Sequence, residues 1–585
     1  MSRLATTVVL ALLLATSAVL YFYRLDSAPP HTQIDEAMIA INAHAIATTG
    51  RDIGGAFLPL YTQTDKQSWY QPVVIYTRVL TFMVLPLNEW SMRVPTVLLA
   101  LTNIALMFLL ILRLYGNVPL ATAAGAMLAL TPGHFIHGRY GLDYLYPVTF
   151  ILGWLLCLAA YREHKRERQL WMAAGVLGLG FYCYISSIVL MPLYLALMLV
   201  MLPEQHPLRR RVVGSVATFA ALLLPFLIWV ISHPEAYGAT VSKYGLYDNS
   251  QLNAAQGLRS SVSFLGVSQR LSQYWNYFDP SLLFFGSGIK VQFSTSLVGV
   301  FLLPVAVFMV AGLYAALKHR DDPFNRIVLL GFVTAPLAAV IPTEENAIFR
   351  ALGLLPFGII IAMIGLRFLW GQAFNGLSSL AIKAGGWVAA SAGIAYGTWS
   401  LTTGRGLPAS MVPLLAAGIG AMALAKFTTR STQLRAMVIV LLAAMPVQFG
   451  GFWTDYFGDY RVRSAFWLGG NLRGAMEELI DRADAEARPD IYFAALASTS
   501  GQLDWRNDFI ETYWRFYLAK HDRLDLEPRG HLLGSTAIDS VPRGSLVLAN
   551  VENGAATALA ARGGLTRVTT IDELDGRAYF VIYQR

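Results

Sequence analysis

Two adjacent carboxylates, Asp35 and Glu36, are the residues best suited to chemistry by type and position. They stand at the start of a helix-like run that ends at Thr49 and is closed by Gly50. A helix N-terminus stabilises an ionised carboxylate and fixes its direction, so an aspartate here is a usable general base for an acceptor hydroxyl. The same pair is also typical of a simple helix cap.

Three further charged residues lie in segments next to apolar runs. Lys66 precedes an interfacial helix, where its ammonium either holds a lipid phosphate or snorkels to the headgroups. Arg350 stands at the outer end of an apolar run, a position typical of bidentate phosphate contact or of an interfacial anchor. Asp143 borders another run, where a carboxylate must pair or face a cavity, and Arg139 is its candidate partner.

Histidines and aromatic residues add weaker signals. His134 and His137 have the i,i+3 spacing of two metal ligands, but without a defined third ligand interfacial polar residues are the commoner reading. The sequence therefore leaves a divalent metal open.

The loop between 244 and 290 is rich in aromatic residues, typical either of sugar stacking or of an aromatic belt at headgroup depth. Acceptor choice is expected to reside there.

The composition places these residues in a membrane protein. Of 585 residues 55% are hydrophobic and only 14% charged, whereas soluble domains carry about a quarter charged residues. Residues 454–585 hold 15 Lys/Arg and 19 Asp/Glu, against 29 and 17 in residues 1–453. We predict a transmembrane domain over 1–453, followed by a soluble domain over 454–585.

The sequence argues against a nucleic-acid-binding protein and against a protein held together by disulfides or zinc. Its net charge of +8 comes from basic residues in short loops between apolar runs, which does not suggest a nucleic-acid partner. Cys157 and Cys183 both lie in apolar stretches, so neither a disulfide framework nor a zinc pattern is possible.

The apolar runs predict about thirteen transmembrane helices, near 5–23, 95–112, 118–133, 145–161, 170–185, 187–202, 212–231, 295–317, 327–341, 351–366, 378–400, 409–425 and 436–453. With the N-terminus inside, every strongly basic loop is cytoplasmic. Two large loops, 24–93 and 233–294, and the soluble tail then share the outer face. The first run is favoured as an uncleaved helix over a signal peptide.

The segment from Trp69 to Pro86 is almost long enough to span, but counting it would turn the basic loops outward. We therefore predict an interfacial or re-entrant helix. The tail has an α/β pattern, with strands at Ile491–Ala495, Ser545–Val551 and Tyr579–Tyr583 and helices at Phe509–Lys520 and Ala555–Arg562. It carries no identifiable catalytic motif, so an accessory role is expected.

The ordered set of motifs resembles the GT-C superfamily of integral-membrane glycosyltransferases, specifically bacterial relatives of protein O-mannosyltransferases and of the aminoarabinose transferase that modifies lipid A. The resemblance covers residues 1 to about 370. The matching segments are Ile34-Asp35-Glu36-Ala37, Thr49-Gly-Arg-Asp52, Asp65-Lys66, Asn88-Glu-Trp-Ser-Met-Arg93, Arg139–Asp143, the Tyr277–Gly286 stretch and Phe349-Arg350.

The resemblance implies an inverting transferase with Asp35 as catalytic base and Glu36 as its partner. Asp143 would help to hold the acceptor, a metal or the surroundings of Asp35. The phosphate of a polyprenyl-phosphate sugar, such as an undecaprenyl-phosphate sugar, is assigned to Lys66 and Arg350, with Arg139. Sugar or acceptor contacts are assigned to four aromatic residues: Tyr274, Tyr277, Trp69 and Tyr70.

We therefore expect a multi-pass protein of the bacterial inner membrane. It is expected to move a hexosyl or pentosyl group to a lipid, glycan or protein of the cell envelope on the periplasmic face. A transporter or flippase and a non-catalytic assembly protein are the alternatives; almost uncharged span centres and the absence of an internal repeat disfavour transport. The sequence does not reveal the sugar, the acceptor, a metal requirement or the role of the tail.

Overall fold

A computed structural model describes most of the chain, and every structural statement below concerns the residues it describes: 2–65, 68–201, 208–247, 251–261, 263–286, 288–342, 344–375, 430–485, 489–494, 509–533 and 538–585. Helices dominate the part before residue 458. They are α1 (Arg3–Phe22), α2 (Ile34–Thr49), α3 (Pro72–Phe82), α4 (Glu89–Tyr115), α5 (Val118–Ala129), α6 (Pro132–His137), α7 (Tyr146–His164), α8 (Glu167–Gly180), α9 (Ser187–Met201), α10 (Leu208–Ser232), α11 (Glu235–Lys243), α12 (Ala254–Ser261), α13 (Phe264–Asn276), α14 (Pro280–Phe285), α15 (Leu303–Lys318), α16 (Pro323–Thr334), α17 (Leu354–Asn375) and α18 (Arg430–Phe457).

The apolar helices agree with the membrane prediction. Five described helices are long and apolar enough to cross a bilayer, and five shorter helices are also apolar. Each predicted run that falls on described residues coincides with a helix. The runs at 378–400 and 409–425 lie outside the described residues, so the predicted number of thirteen spans stays a prediction.

The segment from Trp69 to Pro86 does not form one long helix. Ser68–Tyr70 is a strand, β2, which pairs antiparallel with β1 (Thr62–Asp65), and α3 follows with only 11 residues. At 1.5 Å per residue this helix is about 16 Å long, roughly half of a bilayer core. Its length agrees with the predicted interfacial or re-entrant segment.

Helix α7 extends from one end of the helix bundle to the other. It begins three residues after Asp143, carries Arg162 in its last turn and ends at the basic loop that follows His164. Its 19 residues are about 28 Å long, close to the thickness of a hydrocarbon core. Asp143 and the basic loop therefore lie at opposite ends of the bundle, as the distribution of positive charge requires.

The C-terminal region forms a mixed five-stranded sheet with helices. Its strands are β3 (Ile491–Phe493), β4 (Gly530–Leu532), β5 (Leu546–Asn550), β6 (Thr566–Asp572) and β7 (Ala578–Gln584), in the order β4-β3-β5-β7-β6. Strand β3 is parallel to both neighbours, and β7 is antiparallel to both of its neighbours. Its helices are α19 (Asp459–Ala465), α20 (Leu472–Ala485), α21 (Ile510–Lys520) and α22 (Gly554–Ala561). The five predicted elements are present, whereas α19, α20, β4 and β6 were not predicted.

This sheet region packs directly on the first outer loop. The Tyr513 hydroxyl on α21 donates to the Thr32 carbonyl at 3.1 Å, and His31 contacts the Glu573 carboxylate at 3.0 Å. Lys520 is 2.9 Å from Glu89 at the start of α4. The C-terminal region and the first loop are therefore on the same end of the helix bundle.

Candidate functional site

Asp35, the second residue of α2, is half-buried and has one hydroxyl donor. Tyr70, in β2, donates a short hydrogen bond from its hydroxyl to Asp35 Oδ1. Burial and then the charge of Asp35 raise the pKa of Tyr70 well above its usual value, so this hydroxyl stays protonated. Tyr70 therefore orients the candidate base rather than competing with it for a proton.

Glu36 has a different environment although it is the next residue. It is fully buried, and its two carboxylate oxygens accept hydrogen bonds from the Arg93 guanidinium at 3.0 and 3.1 Å. They also accept from the backbone amides of Gly141 at 2.6 Å and Gln33 at 3.1 Å. Glu36 thus joins three segments and sets the loop before Asp143 against α2, which is a positioning role.

Two buried arginines fix the first outer loop through its backbone. Arg93 donates to the carbonyls of Leu25, Pro29 and His31 in addition to its pairing with Glu36. Arg139 is also fully buried, and its donors reach four other carbonyls, those of Tyr21, Tyr23, Arg24 and Ala28. These contacts support a structural role for Arg139, not the phosphate contact or the pairing with Asp143 that the sequence suggested. We refer to Glu36, Arg93 and Arg139 as the scaffold cluster.

Asp143 lies in the turn before α7 and is 9% exposed. Burial, followed by the nearby charge of Asp35, raises the pKa of Asp143 to about 7. Arg78 and Lys243 partly oppose this shift. A carboxyl that titrates near neutrality beside a second carboxylate can accept or donate a proton during a reaction.

Arg350 ends a short 3-10 helix, Ile348–Arg350, and its side chain is 13% exposed. It is 2.7 Å from Glu344, which also forms an ion pair with Lys290. Burial alone would raise the pKa of Glu344, but the contacts with Lys290 and Arg350 outweigh it and lower that pKa, so Glu344 is ionised. The Tyr244 ring lies 5.1 Å from the guanidinium carbon. We call Asp35, Asp143 and Arg350 the cavity cluster.

A cavity of about 280 Å³ opens between these segments. Its wall is formed by the start of α2, the second outer loop (134–144), the large loop (233–294), the late outer loop (342–350) and the region after α18. The residues that line it are Gln33, Ile34, Tyr144, Lys290, Gln292, Phe293, Glu344, Phe349, Arg350, Trp467 and Leu468. Arg350 lines the cavity itself, and Ile34 and Tyr144, which line it too, are the sequence neighbours of Asp35 and Asp143. Burial and then the charge of Asp35 raise the pKa of Tyr144 well above its usual value.

A second cavity, of about 240 Å³, is an apolar groove between β2, α9, α10 and α11. Trp69 lines it and packs edge-on against Trp229 at 4.9 Å, while Tyr61 lies 4.3 Å from Trp229. Lys243 and Tyr244 also line the groove. Because Tyr244 also contacts Arg350, the groove leads to the cavity cluster.

The remaining predicted residues fall elsewhere. Tyr274 on α13 donates to the Val333 carbonyl of α16 at 2.8 Å, a contact with the helix bundle. Tyr277 is 1% exposed and lies beside the late outer loop, near the charges of Arg350 and Glu344. Lys66 lies outside the described residues, and its predicted phosphate contact stays a prediction.

The two histidines of the second outer loop are buried in separate contacts. The nitrogen Nδ1 of His134 is 2.7 Å from the Tyr21 hydroxyl, and Nδ1 of His137 is 2.8 Å from the Gly133 carbonyl. Within the described ranges no cluster of three or more His, Cys, Asp or Glu side chains is arranged to hold a metal ion.

Sequence reasoning missed three charged residues near the site: Lys243, Lys290 and Glu344. The sequence did indicate the positions of Lys290 and Glu344, since Lys290 ends the aromatic-rich loop between 244 and 290 and Glu344 lies six residues before Arg350. Lys243 lies at the end of α11, where an exposed lysine looks like an ordinary helix terminus.

These features define a polytopic membrane protein whose outer end combines facing carboxylates, cavity-facing cations and an apolar groove. Residues 69–229 match the sequence family described as dolichyl-phosphate-mannose-protein mannosyltransferase. No protein of curated function matches the sequence. The sequence-based resemblance to the GT-C superfamily is confirmed.

Two solved structures of one protein share the fold over nearly the whole chain. ArnT from Cupriavidus metallidurans in the apo state is 16% identical, with a TM-score of 0.56, covering 99% of this chain and 98% of that one. The same protein bound to undecaprenyl phosphate is 16% identical, with a TM-score of 0.53, covering 98% and 97%. The predicted fold class, a GT-C-like helical membrane protein with a C-terminal α/β region, is therefore confirmed.

Proposed function

We propose that this protein is an inverting glycosyltransferase that uses a polyprenyl-phosphate-linked sugar. The observation that carries the proposal is the cavity cluster. Arg350 lines a polar cavity and contacts Tyr244 of the apolar groove, and Asp35 and Asp143 directly adjoin the cavity-lining residues Ile34 and Tyr144 in sequence. The matching of residues 69–229 to a mannosyltransferase family supports the same reaction class. Acceptor and C-terminal domain would both lie on the periplasmic side of a bacterial inner membrane.

The reaction follows from the charges. The acceptor hydroxyl loses its proton to the Asp35 carboxylate as its oxygen forms a bond to the anomeric carbon. The bond from that carbon to the phosphate oxygen breaks, and its electron pair stays on the phosphate. Attack from the side opposite the leaving group inverts the anomeric configuration, and cations placed near the phosphate stabilise its developing charge.

The groove and its cations suit the two parts of the donor. Aromatic and aliphatic walls, which include Trp69, Trp229 and Ile188, match an isoprenoid chain. Lys243 in the groove and Arg350 beside it match its phosphate. Lys66 remains part of this proposal on sequence grounds.

The donor site is tested by thermal stabilisation of the purified protein. Undecaprenyl phosphate is expected to stabilise the wild type by about 2.7 kcal/mol at a hundredfold excess over its Kd, and undecaprenol is expected to have no effect. Arg350→Ala should lose most of this stabilisation. Arg320→Ala, an exposed arginine at the opposite end of the bundle, is the matched control and should retain it. A folded wild type that undecaprenyl phosphate does not stabilise would disprove the donor assignment.

Catalysis is tested separately with Asp35→Asn. This variant should still be stabilised by undecaprenyl phosphate, but it should not transfer label from tritiated polyprenyl-phosphate sugars in a lipid extract to envelope material. Removal of a general base lowers a rate by about a hundredfold or more. Transfer by Asp35→Asn at the wild-type rate would contradict the mechanism and would favour a non-catalytic or transport protein.

A further inference from the structure

The cavity beside the candidate base has a wall that comes from the C-terminal region. Trp467 and Leu468 line it together with residues of the outer loops. This region was expected to be accessory because it carries no catalytic motif. Its contribution to the cavity gives it a direct place at the site.

The helix that precedes this wall is fixed to the outer loops by three hydrogen bonds. In α19, Tyr460 donates to the Gln292 carbonyl at 2.7 Å, Arg461 donates to the Ser27 carbonyl at 2.9 Å, and Arg463 donates to the Thr295 carbonyl at 3.2 Å. The acceptors belong to the first loop and to the large loop. The wall is therefore held in place from two sides.

The turn that follows α19 separates the roles of neighbouring side chains. Phe466–Leu468 forms a 3-10 helix that ends at Gly469 and Gly470, with φ of 98° and 69°. A Cβ on Gly470 would lie 2.3 Å from the Tyr579 ring, so this tight turn requires glycine. Leu468 is 2% exposed and anchors the turn, whereas Trp467 remains 53% exposed at the cavity.

The groups around the Trp467 indole have a characteristic chemistry. Trp467 lies in a wall that also carries Gln33, Gln292, Lys290 and Glu344. A saccharide ring presents an apolar C–H face and an edge of hydroxyl groups, which match an aromatic face and such polar groups. A peptide would instead use a free strand edge or a series of apolar pockets.

We propose that the C-terminal domain forms part of the acceptor site, and that Trp467 stacks on a saccharide ring of the acceptor. This inference rests on the proposed transferase function. It assigns the acceptor to the polar cavity and leaves the apolar groove to the lipid-linked donor. The acceptor is then a glycan or glycolipid, and Trp467 is a specificity-determining residue.

Photo-crosslinking tests this proposal whichever sugar the acceptor carries. p-Benzoylphenylalanine replaces Trp467 in the full-length protein, in the envelope of its own source cells. Phe466 is the matched control because its ring is 57% exposed but does not line the cavity. Irradiation is expected to give an adduct at position 467 that periodate, which cleaves vicinal diols, makes reactive to hydrazide. The yield at position 466 should be lower by about tenfold, the ratio that corresponds to 1.4 kcal/mol of binding.

A peptide adduct, equal yields at both positions, or no adduct at position 467 would overturn the inference. Each crosslinking variant is also tested for stabilisation by undecaprenyl phosphate, which reports folding and the donor site. If the wild type is stabilised but no saccharide adduct forms, the acceptor inference fails while the transferase proposal stands. If undecaprenyl phosphate stabilises neither the wild type nor the variants, the proposed function itself fails.

Discussion

Asp35 and Glu36 are adjacent in the first turn of one helix, yet they belong to regions of opposite character. In the scaffold cluster, both oxygens of Glu36 are saturated by a guanidinium and two backbone amides, and nothing of the side chain is exposed. In the cavity cluster, Asp35 has a hydroxyl donor and a charged neighbour that titrates near neutrality. The type of residue is therefore a poor guide to its role, and the completeness of its hydrogen bonding is a better one.

The same contrast separates Arg139 of the scaffold cluster from Arg350 of the cavity cluster. Arg139 is fully buried and donates to four backbone carbonyls, so its guanidinium has a structural role. Arg350 lines a cavity and pairs with Glu344, which also pairs with Lys290. The scaffold cluster should therefore control stability, and the cavity cluster should control binding and catalysis. Four substitutions test this division, from the largest expected effect to the smallest.

Glu36→Ala should destabilise the fold most. It leaves Arg93 buried without its counter-charge, and loss of one partner of a buried ion pair costs about 3–5 kcal/mol. The midpoint of thermal unfolding in detergent, followed by size-exclusion chromatography, is the measurement. Asp35→Asn is the adjacent control and should unfold near the wild-type temperature. Equal destabilisation by the two substitutions would remove the distinction between the clusters.

Asp143→Asn should stabilise the protein in a pH-dependent way. The pKa of Asp143 is raised from 3.8 to about 7 in the fold. Between these values the unfolded chain releases a proton that the folded chain retains, so the free energy of unfolding falls as pH rises through this window. The loss is complete above pH 7 and is at most about 4 kcal/mol. An asparagine stays neutral and avoids it.

The measurement for Asp143→Asn is the difference in melting midpoint between variant and wild type at pH 5 and at pH 8. This difference should grow with pH, whereas exposed Asp459→Asn should show no such growth. A difference independent of pH would mean that the fold does not raise the pKa of Asp143 into this range.

Glu344→Gln should strengthen the binding of undecaprenyl phosphate. Glu344 pairs with both Lys290 and Arg350, so an arriving phosphate must compete with it. A charge-assisted hydrogen bond is worth about 1.5–3 kcal/mol, and its removal should lower the Kd about tenfold. Titration of the protein in nanodiscs measures this. Weaker binding would show instead that Glu344 is needed to orient Arg350.

Tyr70→Phe should have the smallest effect. It removes the hydroxyl that donates to Asp35, a loss of about 1 kcal/mol, so the transfer rate should fall roughly fivefold while the fold is kept. The dependence of rate on pH should also change, since the base has lost its donor. Tyr76→Phe removes a hydroxyl that bonds only the Pro59 carbonyl, and it should leave both the rate and its pH dependence unchanged.

The helix bundle was predictable because hydropathy and loop charge act along the sequence. The same local reasoning found five elements of the C-terminal region and missed others that carried a signal. Apolar residues recur at helical spacing along α20, and β6 is rich in β-branched residues. Helix α20 and strand β6 therefore each have a local sequence pattern that predicts them.

The candidate site was predictable only in part. Asp35, Asp143 and Arg350 were identified as chemically suitable. Arg350 lines the cavity, and so do Ile34 and Tyr144, the sequence neighbours of the two carboxylates. The role of Glu36 was not predictable, because its partners Arg93 and Gly141 are 57 and 105 residues away in sequence. Trp467 was likewise hidden, since nothing in its own segment indicates which loop it will meet.

The position of Trp467 and Leu468 in the cavity wall also sets the order in which the site is made during biosynthesis. Asp35 and Arg350 emerge from the ribosome long before residues 460–468, which anchor and close the cavity. In a nascent chain this wall is therefore missing until the C-terminal region has docked on the loops. Docking of that region completes the cavity, and a chain stalled before it would bear the helix bundle without this wall.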